Sequence, residues 1–483
     1  MTDRFPKSLL IDGKTLEGAS DGAIELTEPA TETPLCAVPA VGEKEIDQAL
    51  QAAQRGFAQG SWSSSNPAAR SEALFRLARA IRENCERLAR IEARNVGKPI
   101  GDARWEINAG ARCFEFYAGA ITQFGGRTIP VAKNGFDYTI RQPVGVVAAI
   151  VPWNFPFLMA CWKVAPALAT GNSVVLKPAS LTPLSALALG ELAWEAGVPG
   201  NILQVIAGRG SVVGDYLTGH PLVRKIAFTG ETGTGARILR QAAGDIKRVS
   251  LELGGKSPNV IFADADVDAA AEAAPMAVFA NTGQDCCARS RVLVERSVFD
   301  RFSEGFVAAT KRLIVGDPLS EETQVGPLVS SGQRETVERY IAIAEEEGGK
   351  RLVGGSRPQS PGYYLAPTIF AGLPSKARVC QEEIFGPVAC ILPFESEAEA
   401  IALANDTQYG LSGSIWTRDI ERALRVARAV ESGVLSVNTN SSVHQEAPFG
   451  GFKRSGFGRD LGVEAMQLYT ELKNVYIDLS GGK

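Results

Sequence analysis

GVVAAIVP (145–152) and SVVLKP (173–178) decide how this chain folds. Each is a short run of almost wholly apolar residues, the pattern of a strand buried on both faces. A helix opens after the second run at Thr182-Pro183, where proline suits the first helical position, and it ends around Gly197, Pro199 and Gly200. ILQVI (202–206) and KIAFTG (225–230) repeat the strand pattern. Strands alternating with helices predict an α/β domain with a largely parallel sheet, an architecture that commonly hosts dinucleotides.

Working outward, a second set of strands is expected after residue 250 from NVIFA, RVLVE, GSIWT and GVLSVN. Towards the N-terminus the period changes to that of helices. Ile46, Leu50, Ala53 and Phe57 share one helical face, and Leu74, Leu77, Ile81, Leu88 and Ile91 mark a longer helix that stops near Gly97 and Pro99. Arg127 to Ala132 and Phe136 to Gln142 flank an Asn134-Gly135 turn, a hairpin signal. So small a hairpin needs a partner, and the C-terminal run Asn474 to Leu479 supplies a candidate strand.

With 483 residues the chain is too long for one compact core. The expected plan is a Rossmann-like cofactor domain (1–122 and 143–251), an α/β catalytic domain (252–455), and a small β oligomerisation arm (123–142 and 456–483).

Composition excludes several functions. A net charge of -4 gives no reason to expect nucleic acid or a membrane surface as partner. No apolar run approaches the roughly 20 residues that cross a bilayer, and MTDRFPKSLLIDGK lacks a secretory apolar core, so a cytoplasmic location is expected. The eight cysteines are scattered apart from the adjacent Cys286 and Cys287, which is neither a disulfide framework nor a zinc pattern. His220 and His444 are the only two histidines. That excludes a multi-histidine metal site and leaves acid–base work to carboxylates or lysines.

Four segments carry the chemistry. Cys286 lies in NTGQDCCARSR, a polar, loop-like setting. An ordinary thiol has a pKa of about 8.5, so a nucleophilic cysteine needs help from its surroundings. Glu252, in LELGGKSPN, ends an apolar strand, where desolvation would raise its pKa towards that of a useful general base. Asn154 is the neutral polar side chain inside PWNFP (152–156), a rigid turn suited to an oxyanion site. In EEIFGPV (382–388), Glu383 would hold a ribose and Phe385 would lie against a flat ring. Each alone has a plainer reading: a buried structural cysteine, a solvated edge glutamate, an asparagine satisfying its own turn, a strand start.

Taken together the segments are specific. PWNFP, LKP, FTG followed by glycine, LELGGK, GQxC, EEIFGPV, YGLSGS and PFGGFKRSGFGRDLG resemble the aldehyde dehydrogenase superfamily, in its order and over nearly the whole chain. The resemblance implies that Cys286 attacks an aldehyde, that Asn154 and the Cys286 backbone N–H hold the oxyanion, and that Glu252 activates the water that hydrolyses a thioester. Lys163 and Asp460 match its water-linked proton path, although glutamate is commoner at the second position. For the cofactor, NAD, it implies Lys177 at the adenine ribose, Gly230 and Gly235 at a pyrophosphate-binding helix, and Trp153, Leu253, Glu383 and Phe385 in the pocket. Ser180 stands where NAD-preferring relatives often carry glutamate, which implies that NADP is tolerated alongside NAD. Glu231 stands where many relatives carry serine, and as a carboxylate it is not expected to touch phosphate. No metal is expected.

Phe155, Met159, Trp162 and Phe449 match the family's substrate tunnel, and aromatic walls suit an apolar or quaternary-ammonium tail. Asp285 directly precedes the nucleophile, and GQDC is similar to relatives that oxidise aminobutyraldehyde. Asp102 and Glu106 share a helical face expected at the tunnel mouth or, on the plainer reading, in solvent. A semialdehyde dehydrogenase for an anionic substrate is the alternative, which would use an arginine such as Arg112 or Arg289. Retention of Glu252 argues against a CoA-acylating variant, and retention of Cys286, Glu252 and Asn154 against a non-catalytic structural protein. An esterase side activity would share the cysteine. The resemblance further implies a homodimer or homotetramer.

Overall fold

The computed structural model describes residues 5–480; residues 1–4 and 481–483, at the ends of the expected domain ranges, lie outside the described residues. The four apolar runs are strands, Val146–Ile150, Ser173–Lys177, Leu203–Val205 and Val223–Thr229. With Arg248–Glu252 they form a parallel array in the order Arg248–Glu252, Val223–Thr229, Val146–Ile150, Ser173–Lys177, Leu203–Val205. Antiparallel strands complete the eight-stranded sheet: Gly456–Phe457 on one flank, Leu9–Ile11 and Lys14–Leu16 on the other. The register pairs Thr229 with Glu252, Phe228 with Ile150, and Ile150 with Lys177. The carboxyl ends of four neighbouring strands therefore lie nearly level, where open α/β sheets bind their ligands.

A seven-stranded sheet follows. The runs NVIFA, RVLVE, GSIWT and GVLSVN supply its strands Pro258–Ile261, Arg291–Glu295, Ser412–Trp416 and Val434–Val437. Val388–Phe394, Thr368–Ala371 and Lys350–Val353 extend it and were not expected, because short apolar runs do not distinguish a buried strand from a buried helix. Alternate residues feed the two faces: Val260 and Leu293 pack into one core, Ile261, Val292 and Val294 into another.

The N-terminal helix Glu43–Gln59 buries Ile46, Leu50 and Ala53 as its period predicts, and Phe57 is half-buried. The single longer helix expected through Leu74 and Ile91 is instead two, Pro67–Glu83 and Cys85–Val96. Asn84 breaks it by turning its side chain back onto the Ala80 carbonyl at 2.9 Å, while the apolar face runs on across the break.

The hairpin is Thr128–Ile129 against Gly135–Pro143, and Gly135–Pro143 also pairs along its whole length with Thr470–Asp478. Not all of 456–483 joins this small sheet. Gly456–Phe457 completes the eight-stranded sheet, and Ala465 and Met466 of the following helix are buried in its core.

Candidate active site

A cleft of about 830 Å³ crosses the level strand ends. Asn154, Glu252 and Cys286 all line it, although three separate segments carry them.

Glu252 is the last residue of its strand and is buried. Neither carboxylate oxygen meets a protein hydrogen-bond donor. Burial, then the neighbouring Asp460 charge, pushes its pKa well above the usual carboxylate range, against the pull of Lys163 and Arg459. Lys163 and Asp460 do not line the cleft. They form a buried ion pair at 2.8 Å behind it. Asp460 is placed there by a two-way backbone pairing with Phe449, which itself lines the cleft. The PFGGFKRSGFGRDLG loop thus ties the cleft wall to the charge pair behind Glu252.

Cys286 sits on a loop between the helix Val267–Phe279 and the strand Arg291–Glu295. The loop enters through three left-handed residues, Asn281 (φ 47°), Thr282 (φ 59°) and Gly283 (φ 71°). For Asn and Thr that conformation is costly and must be held by neighbours. Asn281 Nδ2 donates to the carbonyls of Asn154 (2.9 Å) and Gln284 (3.2 Å), and Thr282 Oγ1 donates to the Gly326 carbonyl at 3.0 Å. At Gly283 a Cβ would fall 2.2 Å from the Gly386 carbonyl oxygen, so only glycine fits. Asn154 Nδ2 also donates to the Gln284 carbonyl at 2.9 Å, which spends one of its two amide hydrogens and leaves the other. Asn281 and Gln284 are therefore the residues that lock the PWNFP turn onto the cysteine loop. Sequence reading missed them; the available signal was asparagine before Thr-Gly, a residue that tolerates left-handed backbone.

Cys286 is partly exposed on the cleft, whereas Cys287 is buried. Asp285 Oδ1 accepts from the Cys287 backbone N–H at 2.8 Å. Hydrogen bonding to Cys287, then burial, with the charges of Asp285 and Glu383, pushes the Cys286 thiol well above its ordinary range. Cys286 in this state is a thiol that needs a base.

Further along the cleft, Lys177 is buried with its Nζ on the Pro178 carbonyl at 3.0 Å, and burial pushes its pKa down to about 8. The Ser180 hydroxyl donates to the Gly208 carbonyl at 2.8 Å. Gly230 lines the cleft just before the helix Thr232–Ala242, and Gly235 packs so closely on Leu253 that a Cβ would lie 2.7 Å from it. Glu383 Oε1 accepts from the Gly255 N–H at 3.0 Å, and burial pushes its pKa up to about 7. A side chain at Gly254 would meet Glu383 Oε2 at 2.1 Å, so the Gly-Gly of LELGGK is what admits this carboxylate. Trp153 and Phe385 meet edge to face, 5.1 Å between centroids.

On the other side Trp162 and Phe449 also meet edge to face at 5.0 Å, and Phe155 and Met159 line the cleft beside them. The expectation for Asp102 and Glu106 is corrected here. Glu106 lies neither at a tunnel mouth nor in solvent. It is fully buried, ion-paired with Lys98, and accepts from the Leu158 N–H at 3.0 Å, capping the helix Pro156–Ala169. Asp102 does not line the cleft. The helix reaches the cleft through Trp105, which is 58% exposed. Lys98 in turn lies 4.3 Å over the Phe155 ring. Of the two arginines considered, Arg112 is exposed beside Glu446 at 3.8 Å, whereas Arg289 is buried, lines the cleft, and donates to Ser442 Oγ at 2.8 Å and the Cys287 carbonyl at 2.9 Å.

The family model for the aldehyde dehydrogenase family matches residues 16–475. The chain belongs to the aldehyde dehydrogenase family. Betaine aldehyde dehydrogenase of Bacillus subtilis is 40% identical, covering 97% of this chain and 97% of its own length. An aldehyde dehydrogenase of Aspergillus niger is 41% identical, covering 98% of this chain and 95% of its own. Among solved structures, betaine aldehyde dehydrogenase from Staphylococcus aureus in complex with NAD+ matches with a TM-score of 0.97 at 36% identity, over 99% of this chain and 96% of its own. Indole-3-acetaldehyde dehydrogenase from P. syringae, in complex with NAD+ and IAA, matches with a TM-score of 0.97 at 41% identity, over 99% and 97%. The protein is thus an oxidoreductase acting on aldehydes. No helix among the described residues is long and apolar enough to cross a membrane.

Proposed function

We propose that this aldehyde dehydrogenase oxidises an aldehyde to its carboxylic acid by NAD+ through a thioester on Cys286. The observation that carries this reading is the unpartnered, buried Glu252 on the same cleft as the Cys286 thiol. Burial raises the Glu252 pKa and so makes its carboxylate a stronger base than an exposed one, while the raised Cys286 pKa keeps the sulfur a thiol until a base takes its proton. The Cys286 sulfur then adds to the aldehyde carbon. The free amide hydrogen of Asn154 and the Cys286 N–H receive the oxyanion. Glu252 gives the thiol proton up to solvent, and after oxidation it takes a proton from water, whose oxygen attacks the thioester carbon and expels the Cys286 sulfur as a thiolate, leaving the acid. The Lys163–Asp460 pair sets the field in which Glu252 gains and loses that proton.

The residues fit a nicotinamide dinucleotide. Lys177 is a buried cation with no carboxylate partner among the described residues, Glu383 is a carboxylate held for ribose hydroxyls, and the helix after Gly230 begins on the cleft. A nicotinamide dinucleotide held by these residues would supply the hydride acceptor for the oxidation. Ser180 brings no negative charge beside Lys177, so NADP is accepted alongside NAD. The eight-stranded sheet forms the cofactor part, the seven-stranded sheet the catalytic part, and the small sheet an arm for a homodimer or homotetramer in the cytoplasm. Leu472, Tyr476 and Ile477 of that arm are exposed, as an intersubunit strand requires.

The substrate reading is an aminoaldehyde, through the Asp285 carboxylate among aromatic walls. Arg289 on the same cleft favours a second reading, a semialdehyde with an anionic tail. Cofactor reduction with aminobutyraldehyde, betaine aldehyde, succinic semialdehyde and a neutral aliphatic aldehyde decides between them. Preference for the cationic members supports Asp285, preference for the anionic member supports Arg289, and no reduction with any member overturns the catalytic assignment. A NAD preference above roughly a thousandfold overturns the NADP statement.

A further inference from the structure

The helix Thr232–Ala242 opens on the cleft with two N–H groups of its first turn already taken. Glu231 Oε1 accepts from the Gly233 N–H at 2.6 Å, and Oε2 accepts from the Thr234 N–H at 2.7 Å and from Thr234 Oγ1 at 3.1 Å. Glu231 and Thr234 both line the cleft, and Glu231 is exposed. The partial positive charge of a helix N-terminus accommodates one anion, and two anions cannot share the same N–H pair.

Arg237 lines the cleft from the same helix. It is only loosely held, by Asp215 at 3.4 Å, with about half of its side chain exposed. Against the effect of burial, its charge already helps the helix N–H groups to lower the Glu231 pKa.

We propose that Glu231 is an internal competitor for the cofactor's diphosphate. In the empty enzyme its carboxylate occupies the helix N-terminus. Cofactor binding displaces it, so the side chain lowers affinity and speeds release of the dinucleotide. The inference rests on the reading above that seats the diphosphate at this helix.

Calorimetric binding of ADP-ribose and of adenosine to the full-length protein tests it. Glu231→Gln and Glu231→Ala should bind ADP-ribose about fivefold tighter, the scale of losing one exposed cap, and leave adenosine unchanged. Glu231→Ala should at the same time lower the Tm of the unliganded protein, because the cap is gone. A residue with only a structural role would move stability and affinity in the same direction. Lys177→Ala, at the adenine-ribose end of the same cleft, checks that the dinucleotide is seated there at all and should weaken ADP-ribose binding. Unchanged binding there overturns the seat, and the competition with it. With the seat intact, equal or weaker ADP-ribose binding by both Glu231 variants overturns the competition alone.

Discussion

Glu106 and Glu252 are two buried glutamates that serve opposite ends. Glu106 pairs with Lys98 and accepts a backbone N–H at the start of the helix Pro156–Ala169, whose preceding turn carries Asn154. Glu252 has no hydrogen-bond donor for either oxygen. A buried carboxylate with all its partners is structure, and removing it takes from Lys98 the nearer of its two buried carboxylates, the other being Glu92 at 3.7 Å. A buried carboxylate without partners is a base in waiting, since desolvation favours its binding a proton. Burial alone does not separate the two; the partners do.

The largest effect expected from this contrast is on Glu252. Glu252→Gln should lower steady-state turnover about a thousandfold while still forming one equivalent of reduced cofactor in a stopped-flow burst if the thiol proton is lost beforehand, at high pH. Its Tm should stay the same or rise, because an unpaired buried acid has been replaced by a neutral amide. A large drop in Tm would erase the distinction from Glu106.

Glu106→Gln should behave in reverse. Unfolding should cost about 3 kcal/mol less, with the burst preserved at saturating aldehyde. Loss of the burst with an unchanged Tm would place Glu106 with the reacting groups.

The Lys163–Asp460 pair sharpens the comparison through pH. Asp460 is the nearby negative charge that raises the Glu252 pKa, second only to burial. Glu252 must be ionised to act, so activity rises with pH through its pKa. Asp460→Asn lowers that pKa, and the acid limb of the kcat profile should move to lower pH by about one unit. A shift to higher pH would mean that the stranded Lys163 acts otherwise.

The smallest expected effect concerns Asp285. Asp285→Asn should raise KM for an aminoaldehyde about fivefold and leave a neutral aldehyde of equal length unchanged, the scale of one partly screened charge pair. Equal changes for both would assign Asp285 to holding the Cys287 N–H instead.

Glu231 and Glu106 show where sequence reading stops. GETGTG reads as a stretch where a carboxylate should avoid phosphate, but only the structure showed that carboxylate on the helix N–H groups. Asp102 and Glu106 are four residues apart in a helix, which established a shared face and nothing about what the face meets. Lys98, which meets it, carries no motif. The break at Asn84 was invisible because the apolar period continues across it, and Arg289 was visible as a residue but not as part of the cleft wall.

The sequence by itself determined the alternation of strands and helices and the family, and it pointed to the candidate reacting residues, because periodic burial and short motifs are local properties. Only the tertiary structure decided which carboxylates have partners, since Glu106 meets Lys98 and Asp460 meets Lys163 across separate elements, and the Glu252 pKa is raised by burial and by Asp460 rather than by its neighbours in the chain.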